Sequence, residues 1–224
     1  MSASERIKIQ SIAGSIISVQ VGRVALLSPR QVPSAFVKRP ISGQVMVERL
    51  GLAGDQQADL RVHGGPDKAI YCYPSEHYSK WLAERPSVES LLVPGGFGEN
   101  LTTRSLDEDQ ICIGDVLRID GVTAQVTQPR RPCFKLGLRF ADMQMLRSML
   151  RSGRTGWYLR VLEPRLVEAG GSITIMDRLN PAWPISRLNR LIDGRGELDE
   201  IAEAATLPGI AKDLRIPRAA TSDA

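Results

Sequence analysis

The chain has 224 residues, with 29 Lys and Arg against 25 Asp and Glu, a formal charge of +4 and 42% hydrophobic residues. That length suits one large domain, or one domain with a small appendage, and so mild a charge does not select nucleic acid as a partner. Apolar runs such as VALL at 24–27 fall far short of a membrane span, and the opening MSASERIKIQ lacks the apolar core of a secretory leader, so the expected location is cytoplasmic.

Taken in chain order, SIISVQV (15–21) and GQVMVERL (43–50) have β-branched, partly alternating patterns that predict strands, and KAIYCY (68–73) predicts a third. PSEHYSKWLAER (74–85) opens with Pro and Ser and carries an acid early, as helix starts do. DQICIGDVLRI, the Asp-Gly dipeptide at 120–121 and VTAQVTQ predict a hairpin. ADMQMLRSMLRSG (141–153) sets Met143, Leu146, Met149 and Leu150 on one helical face and stops at Gly153. LVEAGGSITIM (166–176) predicts a late pair of strands about two glycines. Many short strands with regular turns indicate a barrel or sandwich.

Strand patterning ends at about residue 177. ISRLNRLI then spaces Leu188, Leu191 and Ile192 as a helix does, and ELDEIAEAATL does the same with Leu198, Ile201, Ala202 and Ala205. Ile210 and Leu214 hint at a third short helix. The expected organisation is a mainly β domain with helices over 10–177 and a three-helix unit over 178–218, with RAATSDA loose at the end. The first two helices of that unit could bury their stripes mostly on each other. A cut near 177 would then spare a site lying wholly before it.

The three cysteines, Cys72, Cys112 and Cys133, are widely spaced and form no CxxC. This argues against a disulfide framework and against an iron–sulfur cluster held by this chain. Cys72 in AIYCY and Cys112 in QICIGD sit among β-formers and read as buried and inert. Cys133 stands apart, in QPRRPCFKLGLRF (128–140). Arg130 and Arg131 favour thiolate, and Pro129 and Pro132 stiffen its approach. A thiolate there is either a nucleophile or a soft metal ligand; the bland alternative packs it under a turn.

Two further segments carry chemistry. GLAGDQQADLRVHGGPDKAIYCY (51–73) holds His63, Gly64, Gly65 and Lys68. A tight turn at HGGP leaves backbone N–H groups free to face an anion. VPGGFGENLTT (93–103) has three glycines in four residues, allowing close backbone approach, followed by Glu99 and Asn100. Neither fits the strand–GxGxxG–helix fingerprint, so a nicotinamide-binding domain is not indicated.

In order, HGGPDKA, GGFGENL, IGDVLRI with QPRRPC, and GRTGWYLRVLEPRLVEAGG resemble a MOSC domain, and more closely its stand-alone bacterial YiiM subfamily. The resemblance implies a MOSC-type β-barrel followed by a small C-terminal three-helix domain. It implies a molybdenum cofactor, a pyranopterin with dithiolene and phosphate, rather than pyridoxal phosphate, and by position it makes Cys133 the metal ligand. Lys68, Arg130, Arg131 and the backbone at Gly64 and Gly65 are then candidates for the phosphate, with Glu99 and Asn100 for the pterin edge. Arg130 is the weaker phosphate candidate, because neighbours on an extended segment point to opposite faces.

The implied activity is reduction of N-hydroxylated small molecules, nucleobase analogues and hydroxylamines among them, to the amine with loss of water. His63, or an acid such as Asp67, would deliver protons, His having the more suitable unperturbed pKa, and a separate flavoprotein reductase would supply electrons, with the helical tail as one candidate docking surface. The resemblance implies neither a nucleic-acid partner nor a membrane. Two alternatives remain at this level: a carrier of molybdenum cofactor or sulfur, and a cofactor-free thiol hydrolase built on Cys133 and His63.

Overall fold

In the computed structural model, which describes residues 13–60 and 63–216, the β-branched runs become strands that mostly join one closed sheet. The strands are β1 (Ala13–Val21), β2 (Ala25–Leu27), β3 (Val32–Ser34), β4 (Arg39–Pro40), β5 (Val45–Glu48), β6 (Gly51–Leu52), β7 (Ile70–Pro74), β8 (Leu101–Arg104), β9 (Val116–Ile119), β10 (Val122–Pro129), β11 (Trp157–Glu163), β12 (Arg165–Val167) and β13 (Ser172–Asp177). The helices are α1 (Glu76–Glu84), α2 (Phe134–Phe140), α3 (Met143–Ser152), α4 (Ile185–Ile192) and α5 (Leu198–Ala205).

Strand order β13-β9-β10-β11-β7-β8-β1 is closed by pairing of β13 with β1, giving a seven-stranded barrel with β4 attached to β1. Closure removes the free edges that an open sheet would present. Within the barrel only β7 and β8 run parallel. The Asp-Gly signal is a true hairpin: Asp120 has φ 50° and Ile119 faces Val122 across the turn. The late strand pair is not a hairpin. β13 uses both its edges, on β1 and β9, so β12 pairs instead with β5 in a small outer sheet that also holds β6.

Two cores result. β7 is buried along its whole length, and its alternation divides its residues between them. Ile70 and Cys72 belong to the barrel interior, with Ile16, Val19, Leu117, Val126 and Ile175. Tyr71 and Tyr73 join Trp81, Phe97, Phe140 and Met149 in a second cluster, to which α1, α2 and α3 contribute. Helix α3 buries Met145, Ser148 and Met149; of the expected face Met149 belongs to that cluster and the half-buried Leu146 packs against it, while Met143 is left 54% exposed. The helix begins only at Met143, with the Asp142 side chain capping Gln144 N–H, and Met143 lies over Gly137 at the corner between α2 and α3.

The C-terminal helices do not bury their stripes mostly on each other. Trp183, Ile185, Leu188, Leu191, Ala204 and Leu207 belong to the barrel's own apolar cluster. On α5 the fully buried residue is Ala204, outside the expected stripe, while Leu198 is largely exposed. Where the third helix was expected, the described residues turn at Lys212 and Asp213. Ala211 N–H donates to Thr127 O at 3.0 Å, and Lys212 N–H donates to Asp67 Oδ2 at 3.1 Å. The fold is thus mixed α/β, a seven-stranded barrel with C-terminal helices. The segment RAATSDA lies outside the described residues. Among the described residues no helix is long and apolar enough to cross a membrane.

Candidate functional site

The end of β10 and the loop before β7 build the site. At the loop, Gly64 and Gly65 have φ of 88° and 86°, a left-handed pair that side chains with a Cβ rarely adopt. They turn the chain into the short 3-10 segment Pro66–Lys68. β10 ends at Pro129, still paired with Trp157, and beyond Pro132 Cys133 becomes the N-cap residue of α2, a helix the sequence reading did not anticipate.

These segments meet around a cavity of about 100 Å³. His63, Gly64, Lys68, Arg130, Arg131 and Cys133 all line it, together with Lys38, Asp55 and Lys135. Cys133 is half-buried, whereas Cys72 and Cys112 are buried, so it is the chain's accessible thiol. Burial pushes the Cys112 thiol up to about 11, with Asp115 adding to the shift, and burial pushes Cys72 further.

The cations are held in different ways. Arg130 is almost fully buried, with its guanidinium 5.6 Å from the Phe36 ring and 5.4 Å from the Tyr71 ring. Arg131 pairs with Asp193 at 2.7 Å, leaving Nη1 buried without a hydrogen-bond partner. Both arginines nevertheless line the one cavity. Beyond Pro129 the chain is not a regular strand, so strict alternation does not apply. Lys68 pairs with Asp213 at 2.5 Å, and Lys135 donates to Pro33 O at 3.1 Å.

Glu99, Asn100 and Gly65 lie outside the cavity lining. The buried Glu99 carboxylate accepts from Gly95 N–H at 2.8 Å, Phe97 N–H at 3.0 Å, Thr102 Oγ1 at 3.0 Å, and the Tyr78 hydroxyl. It ties the glycine loop together from behind, and burial raises its pKa. Asn100 donates to Asp55 Oδ2 at 2.8 Å. Asp55 also accepts from Gly22 N–H at 2.7 Å and forms a buried ion pair with Lys38. Burial lowers the Lys38 pKa, and the Asp55 carboxylate opposes that shift.

Sequence reading missed Lys38 and Asp55 because VKRP and GDQQ carry no local signal; the barrel brings them together. Lys135 stood two residues from Cys133 and was passed over for the arginines.

His63 is held below the usual imidazole range, first by burial and then by Lys135, Arg130 and Lys68, with Asp59 opposing. It is therefore neutral at pH 7. Its NMR titration midpoint should lie below 6.5, its ordinary value. The corresponding stability is fully present above 6.5, the unfolded value, and is lost as pH falls through the folded pKa, because the unfolded chain then binds more protons. A midpoint at or above 6.5 would contradict this placement among cations.

A family profile described as the MOSC domain matches residues 59–174. The chain is 38% identical over 164 residues to Protein YiiM of Escherichia coli (strain K12), covering 73% of each protein. It is 35% identical over 198 residues to a protein of Gibberella moniliformis named Reductase, covering 87% of this chain but 35% of that one. The crystal structure of YiiM from Geobacillus stearothermophilus superposes with a TM-score of 0.74 at 28% identity, covering 89% of this chain and 94% of that one. The motif order, the closed barrel and these similarities together place the chain in the MOSC domain family, close to YiiM.

Proposed function

We propose that the protein is a molybdenum-cofactor-dependent reductase of N-hydroxylated compounds, with Cys133 as the metal ligand. The observation that carries this reading is one accessible thiol set in a cavity lined by Lys38, Lys68, Arg130, Arg131 and Lys135. A cofactor with an anionic phosphate and a thiophilic metal fits that donor set, and the unpartnered Arg131 Nη1 is a buried donor in want of an acceptor. Bound there, the cofactor would supply two-electron chemistry at the metal.

The residues of this chain have distinct parts. Arg131 and Lys68 would hold the phosphate, giving up or sharing Asp193 and Asp213. Arg130, fixed by its two rings, sets positive charge beside Cys133. Glu99 and Asn100 support the site from behind. The net reaction is R–NHOH plus two electrons and two protons giving R–NH2 and water. Neutral His63 is suited to pass a proton rather than to store one.

Electrons would come from a separate flavoprotein reductase, since three cysteines are too few for a four-ligand iron–sulfur relay of the chain's own. In the relative named Reductase the matched region is about a third of the length. The thiol hydrolase reading needs Cys133 and His63 within hydrogen-bond reach, and no hydrogen bond joins them among the described residues. A cofactor carrier is separated from a reductase by turnover.

The test is cofactor retention and turnover in protein made in a cofactor-competent host. Arg131→Gln and Lys68→Gln should each lose cofactor on dialysis, followed by metal analysis and pterin fluorescence. A charge-assisted hydrogen bond is worth about 1.5–3 kcal/mol, or roughly tenfold or more in affinity. Full retention in both variants would misplace the phosphate. Loaded wild type that fails to reduce a hydroxylamine with a chemical reductant would leave the carrier.

A further inference from the structure

A second groove adjoins the cavity and is not used by the cofactor reading. The two share Gln57, Ala58, His63 and Lys135 in their linings, so they are continuous. Beyond that shared wall the groove is lined mostly by apolar side chains, Val32 and Pro33 from β3, Leu60 and Phe134, with Asp59 as the charged member. Phe134 lines this groove, and its two chain neighbours, Cys133 and Lys135, both line the thiol cavity. It is 42% exposed, and it takes part in none of the aromatic ring contacts among the described residues. The β3 edge is fixed, because Lys135 donates to Pro33 O at 3.1 Å and so ties β3 to α2.

An exposed ring of this size beside a cationic cavity is unusual surface for water and good surface for a flat apolar group. A ligand whose polar end enters the cavity would lay its body in this groove. Resting on the reductase reading, we propose that Phe134, with the Val32 and Pro33 edge, is the platform for the substrate's planar ring and sets a preference for ring-bearing N-hydroxylated compounds over small aliphatic ones. The residue positions the substrate and takes no part in bond breaking.

The test compares benzamidoxime with acetamidoxime, which differ by phenyl against methyl, on cofactor-loaded full-length protein with a chemical reductant. Phe134→Ala should raise KM for benzamidoxime by about tenfold relative to acetamidoxime, with kcat on benzamidoxime retained, the pattern of lost uniform binding. Phe134→Tyr should restore the wild-type ratio. Leu198→Ala, an exposed α5 position lining neither cleft, is the control and should leave the ratio unchanged.

Equal KM shifts on both substrates, or none on either, would overturn the platform. If wild type turns over neither substrate, the reductase reading fails, and calorimetry with adenine on the same proteins decides the platform by itself. Weaker adenine binding by Phe134→Ala than by wild type then sustains it. Equal binding, or no binding to wild type, overturns it.

Discussion

Replacing Cys133 by serine should bring reduction of N-hydroxylated substrates to background while leaving thermal unfolding nearly unchanged. The two effects separate because of where the residue sits. Cys133 is half-buried at the N-cap of α2 and makes no capping hydrogen bond with its side chain. Serine is among the preferred N-cap residues, so the helix loses nothing, and surface substitutions of this kind usually stay within about 0.5 kcal/mol. What is lost is a soft thiolate at the cavity wall. Near-normal turnover by a loaded, folded Cys133→Ser protein would remove the metal-ligand role. Cys72→Ala is the complementary control: the residue is 1% exposed inside the barrel, and its removal should lower stability without a specific loss of turnover.

Ending the chain at residue 177 should abolish folding rather than spare the site. The barrel's apolar cluster includes Trp183, Ile185, Leu188 and Leu191, each no more than 1% exposed. Fully burying such a side chain is worth about 1.5–3 kcal/mol, so removing four costs on the order of 10 kcal/mol. A domain's entire stability is about 5–15 kcal/mol. The cut also takes away Asp193 and Asp213, the carboxylates that hold Arg131 and Lys68. Circular dichroism and gel filtration of the truncated protein check this. A folded monomer that still retains cofactor would show that the helices and barrel are independent units after all.

That reversal shows where sequence reading stops. The amphipathic stripes of α4 and α5 were visible, but a stripe states only that a face must be covered. Two short helices and a barrel flank offer competing covers, and the flank won. The same limit explains β12 and β13, whose strand character was legible while their partners were not. Pairing depends on which edges remain free, and the closure of β13 between β1 and β9 left none. In the site, HGGPDK and QPRRPC announced themselves by Gly, Pro and charge, and the structure brings both segments to one cavity. Lys38, Asp55 and Phe134 had no local mark.

The sequence by itself determined the strands with β-branched alternation, the Asp-Gly hairpin, two inert thiols set apart from Cys133, and, through the order of its motifs, the family. These follow from local chemistry: backbone preference, side-chain pattern and the identity of a reactive group do not need a partner to be read. Tertiary structure alone decided that Arg130 and Arg131 share a cavity, that Glu99 and Asn100 stand behind its wall, and that Lys38 meets Asp55. It also decided that the tail closes on the barrel and that Phe134 lines one groove with β3. Each of these is a meeting of residues far apart in sequence, and such meetings are set by the register and closure of the whole sheet, to which no short stretch of chain has access.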